Sequence, residues 1–186
     1  DLEQALLRAR QMMELFEDKE HGGYYITAAD AEPLIARPKE TYDGAIPSGN
    51  AVAAMVLQRL AGLTGDPFWQ EAADRQFTFL AGEIERYPAG HSFSLLALAD
   101  ALYPHRELIC VKDKGVPEEL RQYLMTHPAD GLYILVKTRE NAQALAKCAP
   151  FTAGYPIPEH GAAWYLCKNG ACQAPVQAFQ NLPLEE

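Results

Sequence analysis

The densest group of residues suited to chemistry lies at positions 41–50, which read T-Y-D-G-A-I-P-S-G-N. Asp43, Ser48 and Asn50 bring an acid, a hydroxyl and an amide close together, a combination typical of an active-site loop. The alternative is structural, because aspartate and asparagine can bond their own turn backbone and serine can cap a helix. Ser48 is assigned to a helix cap, since it lacks the G-x-S-x-G turn that exposes a nucleophile. Asp43 and Asn50 remain candidates for chemistry.

A histidine and a cysteine pair are the other candidates. His91 begins an apolar segment, and its side chain suits either acid–base chemistry near neutral pH or a buried structural role. Cys167 and Cys172 enclose K-N-G-A, a longer gap than in a C-x-x-C dithiol, and two sulfurs do not complete a zinc site. We therefore expect no metal, and we interpret the pair either as free thiols or as a redox pair near disulfide geometry. An anion site at 169–171 is disfavoured, because one glycine is too few for a phosphate loop.

Composition and charge exclude several classes of function. The formal net charge of -9 over 186 residues disfavours nucleic acid and anionic membranes as partners, because both select clustered Lys and Arg. No apolar run of about 18 residues predicts a membrane span, and the basic-then-apolar order of a signal peptide is missing. Four cysteines are too few for a disulfide scaffold, so we expect reduced thiols and a cytoplasmic location. We predict no cofactor, and we interpret the chain, which begins without methionine, as a fragment of a longer protein.

Apolar residues at intervals of three and four predict helices in the first part of the chain. The predicted helices cover residues 2–17, 49–64, 67–84 and 91–103. The second and third of them form an antiparallel hairpin, and the last is apolar on nearly every side, which predicts burial all round. Residues 28–48 contain three prolines and little periodicity, which predicts a long ordered loop.

The pattern changes near residue 104, where strand-like runs begin to alternate with short helices. Strands are predicted at 107–111, 131–138 and 162–167, with helices at 117–127 and 140–147. This alternation is typical of a small parallel sheet with right-handed crossovers. We therefore predict a mixed α and α/β fold with a helical domain at 1–104 and a three-stranded parallel α/β subdomain at 105–186.

Several motifs together resemble one family. They are G-G-Y-Y at 22–25, R-P-K at 37–39, D-G-A-I-P-S-G-N at 43–50, L-T-G-D at 63–66 and Y-L-C-K-N-G-A-C-Q-A-P-V at 165–176. Their order and spacing resemble the C-terminal end of the spermatogenesis-associated, thioredoxin-domain-containing proteins of bacteria and eukaryotes. The resemblance implies a parent with a thioredoxin-like domain, whose C-x-x-C motif is absent here, followed by an α/α toroid. That toroid is similar to N-acylglucosamine 2-epimerases and six-hairpin glycosidases, so residues 1–104 would be a partial α/α toroid.

The resemblance also implies where a site would lie. Toroid loops at one end of the barrel line a substrate funnel, which makes Asp43 a candidate catalytic residue and Tyr25, Tyr42 and Asn50 the candidate sugar-binding residues. His91 is the second candidate catalytic residue because an imidazole titrates near neutral pH, and no motif around it matches the similar epimerases. The implied function is carbohydrate binding or modification in the full-length parent, without turnover by this chain alone.

Three alternatives stand beside the carbohydrate function. The first is a non-catalytic docking module for the thioredoxin-like domain, which could be redox-linked to it through Cys167 and Cys172. The second concerns assembly, since an exposed toroid edge could also pair two copies of the chain. The third, a tetratricopeptide-like repeat, is disfavoured because residues 51–85 have no second copy.

Overall fold

The computed structural model describes residues 2–32, 34–103, 105–127, 131–168 and 171–184, which form two compact units. The helical unit comprises Asp1–Ala61 and Asp66–Leu102, and the sheet unit comprises Gly62–Gly65 and Tyr103–Glu186. The domain boundary predicted at residue 104 falls on Pro104, which lies outside the described residues, and it stays a prediction. No helix in the described part of the chain combines the length and the apolar character needed to cross a bilayer.

Among the described residues, the helical unit contains four α-helices, whose positions the apolar periodicity predicts, although the last three residues of α2 belong to the sheet unit. They are α1 (Leu2–Phe16), α2 (Gly49–Thr64), α3 (Pro67–Arg86) and α4 (Ser92–Leu102). Asp66 caps α3 by accepting a hydrogen bond from the Phe68 amide at 3.0 Å, and Pro67 occupies the first turn, where its missing N–H costs nothing. Met13, Leu57 and Trp69 join the first three helices in one apolar core.

The expectation that the helix near His91 is buried all round is wrong for α4 in this chain. Ala97 packs with Ala54 of α2 and Leu80 of α3, whereas Leu96 and Leu102 are 60% and 73% exposed. The apolar composition of a helix shows what it can bury, but burial also needs neighbours on each side.

The segment before α2 is irregular, as predicted: the described residues of 28–48 contain no helix or strand. The chain enters it through Gly22 and Gly23, whose φ angles of 76° and 75° are in the left-handed region that glycine tolerates. A Cβ on Gly23 would also clash with the ring of Phe79. The G-G-Y-Y motif is therefore required by backbone shape and close packing.

The described part of the sheet unit has four strands and two α-helices. Its elements are β1 (Arg106–Lys112), α5 (Glu118–Thr126), β2 (Leu132–Lys137), α6 (Ala142–Cys148), β3 (Ala162–Lys168) and β4 (Ala171–Cys172), in the sheet order β2-β1-β3-β4. β1 and β2 are parallel and joined through α5, as the βαβ pattern predicts.

The prediction of a three-stranded parallel sheet is correct only for that pair. β3 runs antiparallel to β1, and a fourth short strand pairs with β3. The connection into β3 starts and finishes at the same end of the sheet, where β1 ends. Lys137, the last residue of β2, pairs with Val111, and Ala162, the first residue of β3, pairs with Lys112. A connection of this kind must return the chain in the opposite direction.

The sheet has two differently covered faces, because successive side chains of a strand point to opposite sides. One face carries Leu108, Cys110 and Trp164 in an apolar core. Burial raises the pKa of the Cys110 thiol to about 12, which makes it an inert structural group. The other face carries Ile109 and Cys167. It is this second face that holds the candidate site.

Candidate functional site

Asp43 joins two helix N-termini of the helical unit. Its Oδ1 accepts a hydrogen bond from the Ser48 amide at 2.8 Å, just before α2. Its Oδ2 accepts from the amides of Phe93 and Ser94 at 2.9 and 3.1 Å, in the first turn of α4. Burial raises the pKa of this carboxyl, but the amide hydrogen bonds outweigh it, so the pKa of Asp43 lies below its ordinary value. The arrangement stabilises the carboxylate and uses both of its oxygens.

Ser48 is the helix cap that the sequence predicts. Its Oγ accepts from the Ala51 amide at 3.2 Å and donates to the carbonyl of Thr41 at 3.2 Å. This hydroxyl therefore starts α2 and holds the loop in front of it.

Asn50 is almost entirely buried and fully hydrogen-bonded. Its Oδ1 accepts from the Tyr24 amide at 2.7 Å, and its Nδ2 donates to the carbonyls of Tyr24 and Glu40 at 2.9 and 2.8 Å. The Gln76 side chain donates to both the Oδ1 and the backbone oxygen of Asn50, each at 3.0 Å. Asn50 therefore ties the long loop and the G-G-Y-Y segment to α2 and α3.

Tyr25 lies in a charged cluster that anchors the same loop. Its hydroxyl donates to Asp18 Oδ2 at 2.7 Å, and the Lys39 ammonium donates to the same oxygen at 2.7 Å. The Arg37 guanidinium lies 4.1 Å above the Tyr25 ring, at a distance typical of a cation–π contact. The Lys39 and Tyr25 hydrogen bonds hold the pKa of Asp18 far below its usual range. The R-P-K motif thus supplies both cations of this cluster.

His91 and Tyr42 lie beside Asp43, around Gly90. The Asp43 amide donates to the Gly90 carbonyl at 2.7 Å, and the half-exposed Tyr42 ring lies 2.8 Å from where a Cβ on Gly90 would stand. His91 Nδ1 is 2.9 Å from the carbonyl of Tyr87, which can only accept, so Nδ1 carries the proton of the neutral ring. Nε2 is buried without a hydrogen-bond partner among the described residues.

The structure thus places Tyr42, Asp43 and His91 around Gly90. Asn50 and Tyr25 each hold a different part of the long loop, Asn50 through Glu40 and Tyr25 through Arg37. Most of the polar atoms of Asp43, Asn50 and Tyr25 are committed to holding the loop and the helices. The catalytic and sugar-binding roles of these five residues stay predictions.

In the sheet unit, Cys167 and Cys172 are joined as a disulfide. The simpler interpretation of this pair as free thiols is therefore wrong: β3 and β4 pair antiparallel, and the two cysteines face each other in that pairing. Sequence spacing gave the wrong expectation because it does not show that these two positions lie on paired antiparallel strands. The two sulfurs differ in access, since Cys167 is 4% exposed whereas Cys172 lies on the surface. The remaining cysteines, Cys110 and Cys148, are not in a disulfide.

A tyrosine hydroxyl lies against the disulfide. The Tyr155 hydroxyl is 3.1 Å from Cys172 Sγ and 3.8 Å from Cys167 Sγ. A disulfide sulfur carries no hydrogen, so the phenol must be the donor. Burial, followed by the nearby Glu107 and Tyr165, raises the pKa of Tyr155, which keeps the phenol protonated.

A carboxyl group lies on the other side of Cys167. Glu107 of β1 is the cross-strand partner of Cys167, so both side chains point to the same face of the sheet. Its Oε2 is buried and has no hydrogen-bond partner among the described residues. Burial raises the pKa of Glu107. Glu107, Cys167 and Cys172 thus form one row across three strands, which we call the disulfide row.

The disulfide row borders a cavity of about 240 Å³, whose lining also includes Ile109, Phe151 and Tyr155. A buried lysine of β2 anchors the segment that contributes Tyr155 to this lining: Lys137 Nζ donates to the carbonyls of Thr152 and Tyr155, both at 2.7 Å. Desolvation lowers the pKa of Lys137. Lys137 therefore fixes the loop that presents the Tyr155 hydroxyl to the disulfide.

Sequence reasoning identified the two cysteines but missed Glu107, Tyr155 and Lys137. The run R-E-L-I-C-V-K does place Glu107 on the same strand face as Ile109 and Val111, and an acid on an apolar face is a usable signal. The pairing of Glu107 with Cys167 depends on the antiparallel register of β3, which no local pattern supplies. The anion site at 169–171, which the sequence disfavours, includes Asn169 and Gly170, which lie outside the described residues. Among the described residues, no group of three or more His, Cys, Asp or Glu side chains is arranged to hold a metal ion.

Comparison with known proteins supports the resemblance. The chain is similar to spermatogenesis-associated protein 20 of Homo sapiens, with 26% identity over 178 residues, which cover 94% of this chain and 23% of that protein. The Rattus norvegicus protein of the same name is 27% identical over 165 residues, or 87% of this chain and 21% of the relative. The Mus musculus protein is 25% identical over 178 residues, or 94% of this chain and 22% of the relative.

No family model matches the chain. The similarity nonetheless runs along nearly the whole chain, which indicates homology to one region of spermatogenesis-associated protein 20. The chain spans less than a quarter of the length of these relatives. The predicted resemblance is confirmed at this level, and its toroid, thioredoxin-like and carbohydrate components stay predictions.

Proposed function

We propose that this chain is a thiol–disulfide exchange module of a larger protein, with Cys167 and Cys172 as its redox pair. The observation that carries the proposal is the Cys167–Cys172 disulfide, which has one exposed sulfur and a tyrosine O–H donating to that sulfur at 3.1 Å. The natural reaction partner is a protein dithiol, and the resemblance supplies one in the thioredoxin-like domain implied for the parent.

The exchange balances with that dithiol as the reductant. One partner thiolate attacks the disulfide and forms a mixed disulfide, and the second partner thiol then displaces the chain's sulfur. The partner loses two electrons and becomes a disulfide, while Cys167 and Cys172 gain two electrons and become thiols. The direction reverses when the partner is the stronger oxidant.

Counting thiols tests the proposal directly. The protein is purified in air, unfolded with the disulfide intact, and its thiols are labelled and counted by mass. We expect labelling of Cys110 and Cys148 only. After incubation of the folded protein with a reduced thioredoxin-type dithiol protein, we expect Cys167 and Cys172 to be labelled as well.

Two outcomes would overturn the proposal: four labelled thiols before any reduction, or a disulfide that the protein dithiol leaves intact in the folded chain. The matched control is the same dithiol protein with its attacking cysteine replaced by serine, which should leave the count unchanged. Equilibration in glutathione buffers of graded potential then gives the reduction potential of the pair.

A carbohydrate role in the full-length parent is the second candidate, and His91 favours it. His91 Nε2 is buried without a hydrogen-bond partner among the described residues. The preceding residue, Gly90, accepts a hydrogen bond from the Asp43 amide and packs against the half-exposed Tyr42 ring, an arrangement that a sugar hydroxyl could complete. We also propose that the helical unit is part of a larger α/α toroid in the full-length parent. The exposed Leu96 and Leu102 of α4 support this, because a neighbouring helix would bury them.

Binding of N-acylated hexosamines, followed by the His91 ring signals in NMR titrations, tests the carbohydrate role. We expect binding by the full-length parent, no epimerase or glycosidase turnover by this chain alone, and no binding by the His91→Phe variant. A full-length parent whose His91 signals do not respond to these sugars would exclude this candidate.

A further inference from the structure

The two sulfurs of the disulfide are not equivalent, and this fixes the order in which they react. Cys172 is exposed, so an incoming thiolate reaches its Sγ, whereas Cys167 is buried. Attack at Cys172 makes Cys167 the leaving group, and the negative charge then develops on a buried sulfur. Burial disfavours a bare thiolate there, so opening the disulfide needs a proton at Cys167.

A proton source lies on the neighbouring strand. Glu107 and Cys167 are directly opposed in the β1–β3 pairing, and facing side chains of paired strands have Cβ atoms about 5 Å apart. The buried Oε2 of Glu107 has no partner among the described residues, so no hydrogen bond competes for that oxygen. Its raised pKa, caused by burial, favours the protonated acid that can donate.

Tyr155 has a different task. Its hydroxyl is closer to Cys172 Sγ than to Cys167 Sγ, and its raised pKa keeps it a hydrogen-bond donor rather than an acid. It can therefore stabilise charge on Cys172 when that sulfur leaves in the second step. The carboxyl serves the buried sulfur and the phenol serves the exposed one.

Building on the proposed exchange function, we propose that Glu107 is the proton donor to Cys167 when a thiolate opens the disulfide at Cys172. In that step a bond forms between the partner sulfur and Cys172 Sγ, and the Cys167–Cys172 bond breaks. The electron pair goes to Cys167 Sγ, which takes the proton of the Glu107 carboxyl, leaving a carboxylate. When the disulfide re-forms, the same carboxylate takes the proton back.

Reduction kinetics with dithiothreitol test the proposal on the whole chain. The rate constant of disulfide opening is measured from about pH 5 to about pH 9 and divided by the thiolate fraction of the reagent. For the wild-type chain, this normalised rate constant should fall as Glu107 loses its proton. For Glu107→Gln it should be about 100-fold lower at the acidic end, independent of pH, and equal to the wild type at the alkaline end.

Several titratable groups face Glu107, and the pH profile must be assigned among them. Within the described residues they are His105, Tyr133, Lys137, Tyr155, Tyr165 and, once the disulfide is open, Cys167. Glu107→Asp keeps a carboxyl and should restore part of the rate and its pH dependence. Glu159→Gln removes an exposed carboxyl of the same unit and should change neither.

A second readout needs no variant. The carboxyl carbon of Glu107 is titrated by NMR in the oxidised and the reduced wild-type chain, and we expect its pKa to differ between the two states. Equal titration curves, or a Glu107→Gln chain that is folded and opens like the wild type at every pH, would overturn the role of Glu107 while leaving the exchange function intact. A disulfide that no dithiol opens would instead overturn the exchange function itself.

Discussion

The loop network around Asn50 and the disulfide row use buried polar groups in opposite ways. Around Asn50 the side-chain oxygen and nitrogen both have partners at 2.7–3.0 Å, and Asp43 divides its two oxygens among three amides. In the disulfide row, Glu107 keeps a buried oxygen without a partner among the described residues, next to a bond that can break.

This contrast distinguishes buried polar groups that stabilise the structure from buried polar groups suited to chemistry. A fully satisfied buried network stabilises one conformation, and each member is costly to remove. A buried carboxyl without a partner destabilises the fold, and such groups with raised pKa concentrate at sites of chemistry. The two regions therefore predict opposite responses to mutation and to pH.

The largest effect on stability is expected from Asn50→Ala. The change leaves the backbone N–H and C=O of Tyr24 and the carbonyl of Glu40 without their Asn50 side-chain partners, which should lower the free energy of unfolding by about 3–5 kcal/mol. Urea denaturation measures it. Gln11→Ala, on the exposed side of α1, is the matched control and should change stability by less than about 0.5 kcal/mol. Comparable losses for the two variants would contradict a structural role for Asn50.

Asp43→Asn should come next, with a loss of about 2–3 kcal/mol at neutral pH, because an amide cannot accept three backbone N–H groups as a carboxylate does. The pKa of Asp43 is lowered in the folded chain, so the carboxylate stabilises the fold above about pH 4, and this stabilisation is lost as pH falls through the folded pKa. The gap between wild type and variant should narrow in acid. A gap independent of pH would show that the charge of Asp43 is not what matters.

Removing the disulfide with Cys167→Ala and Cys172→Ala should have a smaller effect, about 2 kcal/mol, because the bond closes only a short loop of the unfolded chain. Denaturation of the double variant and of the oxidised and reduced wild type measures this loss. Reduced wild type should resemble the double variant. If reduction unfolds the sheet unit, the disulfide is structural, and the contrast between a structural loop network and a functional disulfide row is wrong.

Glu107→Gln should change stability least, by no more than about 1 kcal/mol. The pKa of Glu107 is raised in the folded chain, so the favourable protonated state is lost as pH rises from the unfolded towards the folded pKa. The stability of Glu107→Gln relative to the wild type should therefore increase with rising pH, whereas that of Asp43→Asn should decrease. Denaturation of both variants and the wild type at acidic and neutral pH shows how each stability difference changes with pH. If the differences for Glu107→Gln and Asp43→Asn change in the same direction, the distinction between the two regions is wrong.

Local pattern predicted much of this fold and little of this site. The helices, the Ser48 and Asp66 caps and the β1–α5–β2 unit follow from periodicity and capping residues within short windows. The direction of β3 and the exposure of α4 depend on which elements are neighbours, and the short-range pattern does not contain that information. The same limit hid the disulfide row, since Glu107 and Cys167 are brought together only by the register of two strands. An acid, a serine and an amide lie close together in the segment from Asp43 to Asn50, and this combination is typical of a well-capped helix as well as of an active site.

The pairing of β4 with β3 has a consequence for solubility. Residues of this last segment cover the outer edge of β3: Cys172 faces Cys167, the Gln173 amide donates to Leu166, and Trp164 and Val176 exchange two backbone hydrogen bonds. An uncovered strand edge invites pairing with another chain. The disulfide fastens this cover, so the oxidised chain should stay monodisperse under conditions in which the reduced chain begins to associate edge to edge.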